Sequence, residues 1–198
     1  ENDLLIAEKI DYKGLEITEN DISWRDIKAK KIIFCEGHKM LENPFFNYLP
    51  LTPVKGETLV IEAENLKLNE KMSKGKRFIV QWQKENQYWL GSSYIRNYKN
   101  ELPTENERNT LIADLESMIN VPYKMVSHQA GIRPTNLHRK PFLGFHPKHK
   151  NIGIFNGLGT KGVSLSPFYA QHFVECLIKQ KTLQIEVNIE KYRHLYAN

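Results

Sequence analysis

The stretch from Ile152 to Ile178 constrains this chain more than any other. An apolar run, Ile152-Gly-Ile-Phe155, leads into Gly157-Leu-Gly159-Thr-Lys-Gly162. Phe168, Phe173, Val174, Leu177 and Ile178 then recur at helical spacing. A short run that is apolar throughout reads as a strand covered on both faces, and strand, glycine loop and helix together form a unit of an α/β layer. Ser166 and Pro167 have the chemistry of an N-cap and a first helical residue, so the helix is expected to start there, with a further strand after it. Lys31-Ile-Ile-Phe-Cys35, closed by Glu36-Gly37, reads as a second buried strand.

Between these runs the pattern changes. Pro44, Pro50 and Pro53 break up a loop region around Phe45-Phe46. Glu57–Glu62, Arg77–Trp82 and Gln87–Gly91 then alternate partially and are separated by polar stretches, which suits an antiparallel sheet with one wet face. Thr104 and Glu107 make a capping box, and Leu111, Leu115, Met118 and Ile119 follow at helical spacing. A strand is expected near Tyr123–Gln129, and short β-like runs at Leu4–Ala7 and Leu15–Ile17.

Composition excludes several classes. The excess of 28 basic over 23 acidic residues is scattered, and its densest stretches, Lys28–Lys31 and His146–Lys150, are too short for a nucleic-acid footprint. No apolar run reaches the roughly 18–20 residues of a membrane span. Cys35 and Cys176 lack any CxxC spacing and read as reduced, buried thiols of a cytoplasmic protein. His146-x-x-His149 flanks a proline in a loop and is not read as a metal pair; no metal site is expected. The acidic, polar start, Glu1-Asn2-Asp3, is no signal peptide and has no initiator Met, so the chain is expected to begin partway through a longer protein.

Gly157-Leu-Gly159-Thr-Lys-Gly162 also matches G-x-G-x-x-G, and Glu186 follows where a ribose-binding acid would stand. Two features oppose a pyrophosphate site. The third glycine should lie in the first turn of the helix, whereas Ser166-Pro167 places that turn later. Barely a dozen residues follow Glu186, too few for further parallel strands. A tight turn needing positive φ is a second reading. A third is a loop whose backbone N–H groups, with the positive end of the helix, meet an electron-rich ligand edge such as a flavin pyrimidine ring.

Five segments, in order along the chain, resemble the D-amino-acid oxidase and glycine oxidase type of FAD-dependent oxidoreductase. Lys31–Gly37 is similar to the family's apolar strand ending in A-x-G, with Cys35 in place of alanine. Pro53-Val-Lys-Gly-Glu57 resembles P-V-[KR]-G-[EQ]. Tyr88–Tyr94 resembles the v-G-a-T segment, with Ser92 and Ser93 replacing Ala and Thr. Gly131-Ile-Arg-Pro-Thr135 with Pro141–Gly144 resembles G-[LI]-R-P-x-T…P-x-[IL]-G, and Asn156–Pro167 resembles G-x-x-x-x-G-[IL]-x-x-[AS]-P.

The resemblance implies an α/β (α+β) fold: the C-terminal part of an FAD-binding domain interrupted by a mixed or antiparallel-sheet substrate domain. Residues 1–43 and 129–198 would belong to the FAD domain and 44–128 to the substrate domain. It implies FAD as cofactor and oxidation of an amine or amino acid by hydride transfer to the flavin. It also implies that the family's own dinucleotide fingerprint lies upstream of this chain, which is then expected to be inactive alone and to self-associate through the strand faces at Lys31–Cys35 and Ile152–Phe155. Under it, Arg133 pairs with the substrate carboxylate, and Phe78 and Tyr94 line the pocket, with Phe78 where tyrosine is common. Gly157, Gly159, Thr160, Lys161 and Gly162 surround the pyrimidine edge, and Gly37 and His38 lie near the cofactor on the other side. No side chain is assigned as a catalytic acid or base. Two other functions are compatible with the residues: a flavin oxidase for a modified tRNA base, which shares the G-L-G-[ST]-[KR]-G loop, and a non-enzymatic domain that holds a carboxylate ligand through Arg133.

Overall fold

In the computed structural model of the chain, residues 5–68 and 72–196 are described. In chain order the first strands are β1 (Leu15–Ile17), β2 (Ile22–Trp24), β3 (Ile27–Ala29) and β4 (Ile32–Phe34), followed by a 3-10 segment at Gly37–Glu42. Next come β5 (Val54–Glu62), β6 (Met72–Lys74), β7 (Phe78–Gln81), β8 (Gln87–Gly91), helix α1 (Glu105–Glu116) and β9 (Lys124–Arg133). The chain continues through β10 (Phe142–Phe145), β11 (Ile152–Asn156), α2 (Gly162–Lys179), a 3-10 turn at Ile189–Tyr192 and α3 (Arg193–Tyr196). These elements make two compact units, one being Pro53–Arg133 and the other built from the segments on either side of it.

In the flanking unit, β10, β11 and β4 form one sheet, with β11 antiparallel to β10 and parallel to β4. Alternation along these strands divides their side chains between two apolar layers. Phe34, Phe142, Ile152 and Ile154 join Met40, Phe46 and Leu49 in one cluster, while Ile33, Leu143, Phe145 and Phe155 pack with Tyr169 and Phe173 of α2. The two strands read from their apolar runs are therefore the covered strands of an α/β layer. A small antiparallel meander, β1-β2-β3, adds Ile22 to the first cluster.

In the unit Pro53–Arg133, the sheet order is β6-β7-β8-β5-β9, with every pairing antiparallel. Leu59, Ile61, Ile79, Tyr88 and Leu90 turn one face toward Leu111 and Leu115 of α1. Thr104 caps α1 by accepting from the Glu107 N–H, but the reciprocal half of the expected capping box is not made, because the Thr104 N–H donates to Glu57 instead.

Several expectations are corrected. Helix α2 begins at Gly162, and Pro167 lies inside it. Gly162 has helical torsions (φ −53, ψ −49) and continues a 3-10 turn at Gly159–Lys161. Pro167 has no N–H to offer the Val163 carbonyl four residues before it, and Val163 lies on the exposed first turn. Among the described residues no strand follows α2; the chain makes only an isolated parallel bridge, Asn188 with Leu143, before the 3-10 turn at Ile189. Leu5–Ala7 form no strand, and Leu4 lies outside the described residues. Cys35 is exposed and Cys176 half-buried, both as free thiols, rather than buried. Ile152–Asn156 is covered, with only Phe155 half-buried, while at the sheet edge Ile32 and Ile33 are half-buried; large exposed apolar groups also lie on α2, at Val163, Phe168, Val174 and Ile178. Among the described residues no helix is long and apolar enough to cross a membrane.

Candidate functional site

The sheet of the unit Pro53–Arg133 has a second face, opposite α1, and the strand register fixes what it carries. Phe78 pairs with Gly91, Gly91 with Thr58, Thr58 with Gln129, Gly56 with Gly131, and Val54 with Arg133. Three of these positions are glycine; the Arg133 guanidinium covers Gly56 and the Trp89 and Thr58 side chains cover Gly91, while Gly131 is open. Nothing lies within 4 Å of where a Cβ on Gly131 would stand. Arg133 folds back along the strand over Gly56, and half-exposed Phe78 and exposed Tyr94 stand on the same unit.

The Arg133 guanidinium is half-buried. Nη1 donates to the Ser93 carbonyl at 3.3 Å and Nη2 donates to Ser92 Oγ. Both acceptors are neutral. Burial pushes the guanidinium below its ordinary value, and the neighbouring Tyr94 acts in the opposite sense. The Ser92–Ser93 segment is itself gripped from two sides. Arg77 Nη1 donates to the Ser92 carbonyl at 3.0 Å while its Nε holds Asp114 of α1 at 2.7 Å. Ser93 Oγ accepts from the Glu57 N–H at 2.8 Å, and the Ser93 N–H donates to the Glu57 carbonyl at 3.1 Å.

In the flanking unit, Asn156 joins the two glycine segments singled out in the sequence. Its Nδ2 donates to the Gly37 carbonyl at 2.8 Å, and its Oδ1 accepts from the Gly157 N–H at 2.8 Å. Gly37, Gly157 and Gly159 all have positive φ, at 59, 73 and 59, a region that glycine enters without strain. The Gly159 N–H donates to the Pro134 carbonyl at 3.1 Å. Helix α2 then starts at Gly162 with no side chain capping it, leaving its first N–H groups as donors beside exposed Lys161. Thr160 is exposed and His38 half-buried.

The residues named from the sequence thus fall into two sets, Phe78, Tyr94 and Arg133 on one unit and Gly37, His38, Gly157, Gly159, Thr160, Lys161 and Gly162 on the other. The pyrophosphate reading loses one objection, since Gly162 does open the helix, but keeps the other, because among the described residues only an isolated parallel bridge at Asn188, and no strand, follows α2. Three contributors were not singled out: Ser92 and Ser93, present in the sequence only as substitutions, and Asn156. Asn136 is a fourth, donating from Nδ2 to the Gly157 carbonyl at 3.2 Å while its buried Oδ1 has no partner among the described residues. An asparagine beside a glycine turn could have marked Asn156, whereas Ser92, Ser93 and Asn136 carry no such local signal.

The architecture is that of known flavoenzymes. The chain is similar to glycine oxidase from Bacillus cereus (19% identity, TM-score 0.66, covering 85% of this chain and 48% of that one). It is similar to iminodiacetate oxidase from Chelativorans sp. BNC1 (18%, TM-score 0.67, 90% and 51%), and to L-proline dehydrogenase from P. horikoshii (14%, TM-score 0.70, 91% and 53%). It spans about half the length of these structures. The family model of the FAD-dependent oxidoreductases (DAO) matches residues 7–176, and the chain belongs to that family.

Proposed function

We propose that this chain carries the substrate-gripping and flavin-ring portion of an FAD-dependent oxidoreductase acting on an amine or amino acid with a carboxylate. Arg133 is the observation that carries the reading. Its half-buried cation rests, within its own unit, on two neutral oxygens. A charge removed from water without a counter-charge is costly, so the position favours an anionic ligand. A planar guanidinium meets a carboxylate through two parallel hydrogen bonds and so fixes its orientation. Arg133 binds and orients the substrate in this reading, while Phe78 and Tyr94 shape the pocket. Phe78 offers apolar contact alone, having no hydroxyl.

Support for the ring end of FAD comes from the glycine loop. Gly159 stands at a positive φ with Thr135 Cγ2 3.2 Å from where a Cβ would lie, so the turn admits no side chain and presents its backbone instead. The uncapped start of α2 aims donors and partial positive charge, joined by Lys161, at whatever lies before it. That chemistry suits the pyrimidine edge, with Gly157, Thr160 and Gly162 around it and Gly37 and His38 on the far side. The chemistry FAD supplies when bound is uptake of a hydride from the carbon beside the substrate nitrogen, leaving an imine for water to hydrolyse. The ADP end of the cofactor would be held by polypeptide other than these 198 residues, so that the chain alone is inactive, a reading supported by its spanning about half of the structures it resembles. The two free thiols support a reducing, cytoplasmic setting.

The test is anaerobic bleaching of the visible flavin band in the protein expressed from its full reading frame, using a panel of amines with and without a carboxylate. Bleaching by carboxylate-bearing amines that Arg133→Gln abolishes is the expected result. Equal bleaching by carboxylate-free amines would sink the substrate class, and failure to retain FAD through gel filtration would sink the cofactor assignment.

A further inference from the structure

Ser92 has chemistry that the proposed function does not use. Its Oγ accepts from Arg133 Nη2, which occupies a lone pair and leaves the hydroxyl proton without an acceptor among the described residues. A hydroxyl that accepts from a cation is polarised toward donating, and an anion on that cation lies within its natural reach. The backbone beneath it is fixed independently of any ligand. Asp114 holds Arg77, Arg77 holds the Ser92 carbonyl, and Glu57 holds Ser93 from both its N–H and its hydroxyl. Ser92 is half-buried, so its side chain is neither sealed in the core nor free to swing in water. The alanine of the pattern this segment resembles has no oxygen to offer.

We infer that Ser92 is a substrate-binding residue: its Oγ holds the Arg133 fork in place and its hydroxyl donates to the same carboxylate oxygen that the fork grips. This rests on the reading of Arg133 as a carboxylate site and adds to it a third, neutral donor. The grip becomes three-pointed, tolerant of pH on the protein side, and selective for carboxylates over larger anions whose oxygens do not meet both groups at once.

The test is calorimetric titration of benzoate into the protein expressed from its full reading frame, with benzamide as the uncharged control. Ser92→Ala should weaken benzoate binding about tenfold, the worth of one hydrogen bond to a charged group. Ser92→Thr, which keeps the hydroxyl, should stay within about threefold of the parent. Neither should shift the thermal midpoint appreciably, which separates binding from folding. Arg133→Gln should abolish benzoate binding. If Arg133→Gln abolishes it while Ser92→Ala leaves it unchanged, the role of Ser92 is overturned and that of Arg133 stands. If Arg133→Gln has no effect, or benzamide binds as well as benzoate, the carboxylate site itself is overturned and Ser92 falls with it.

Discussion

The guanidinium of Arg133 occupies the space in which Gly56 would carry a side chain: a Cβ there would lie 2.0 Å from Nη2 and 2.3 Å from Cζ. The two residues are diagonal neighbours on β9 and β5, since Arg133 pairs with Val54 and Gly131 with Gly56. Gly56→Ala therefore has to lift the arginine off the sheet and away from Ser92 and Ser93. The expected result is at least a tenfold loss of benzoate affinity with little loss of stability, because the group displaced is the far end of a flexible, half-buried side chain. Gly131→Ala, where a Cβ meets nothing, is the matched control. Calorimetry with urea denaturation reads both, and equal effects of the two substitutions would refute the packing argument.

Behind this face lies a buried ion pair. Lys55 and Glu57 are 1% and 0% exposed, with Nζ 2.8 Å from Oε1. The pair is extended by the Thr104 N–H at 2.8 Å and hydroxyl at 3.1 Å, both donating to the Glu57 carboxylate. Lys55→Met removes the ammonium partner of a buried carboxylate and leaves it, beside the Thr104 donors, only His128 Nε2, 2.9 Å from Oε2, and should cost about 3 kcal/mol, whereas Lys55→Met with Glu57→Leu should recover most of it. Burial alone would push the Glu57 carboxyl up, but the hydrogen bonds from Lys55 and Thr104 outweigh it and hold the group below its ordinary value. The folded protein therefore binds this proton less readily than the unfolded chain. The stabilisation is complete above the ordinary value of 4.5 and is lost as pH falls through the lower folded value. Chemical denaturation of the parent and the double variant in the acid range checks this, since only the parent should lose this contribution.

Much of this was legible in the sequence where side-chain chemistry and periodicity agree. The apolar runs at Ile32–Phe34 and Ile152–Phe155, and the Thr104 cap, required only local rules. The start of α2 was misread because a Ser-Pro pair has the same local chemistry whether it opens a helix or lies in its second turn. What decided the matter was Gly162, whose torsions depend on the preceding 3-10 turn. The roles of Ser92 and Ser93 were not legible, because a serine acquires its partner through register: Arg133 reaches Ser92 across 41 positions of sequence. Asn156 joins Gly157 to Gly37 across a far longer separation, 119 positions. Arg133 could be named as a candidate because its residue type and its neighbours together resemble a known pattern.

His146 gives the flanking unit a second pH dependence. It is packed edge-on against Tyr196 at 4.7 Å and Phe46 at 5.9 Å, and its Nδ1 accepts from the backbone N–H groups of Lys148 and His149. Burial, with smaller contributions from His149 and Lys148, pushes its pKa down from 6.5 to about 4. Between those values the unfolded chain binds the proton and the folded protein does not, so stability rises with pH across that window, by about 3 kcal/mol in all. His146→Phe should be less stable near neutrality, having lost the acceptor for two N–H groups, yet should show a flatter profile from pH 4 to 6.5. A profile of unchanged slope would assign the dependence to other groups.

The exposed apolar groups of α2 set how the chain behaves when purified alone. Val163, Val174 and Ile178 lie at helical spacing and are 96%, 48% and 75% exposed. Concentration-dependent association by light scattering is expected, and Val174→Glu with Ile178→Glu should suppress it. A chain that stays monomeric at high concentration, or a double variant that associates as before, would remove this helix from the account.

Gly162 separates a structural glycine from one kept open for a ligand. It lies in the first helical turn at φ −53, and the nearest atom to an added Cβ is Leu158 Cβ at 3.8 Å, an ordinary contact. Neither torsion nor packing asks for glycine here. Gly162→Ala should therefore stabilise the fold by about 0.5 kcal/mol through a less flexible unfolded chain. Under the proposed function the same methyl stands among the N–H groups that face the pyrimidine edge, so FAD affinity should fall even as stability rises. The measurement is FAD titration by flavin fluorescence beside urea denaturation of the same variant, in the protein from its full reading frame. Stability and FAD affinity rising together would mean that the start of α2 does not approach the cofactor, and the ring site would have to be sought elsewhere on this unit.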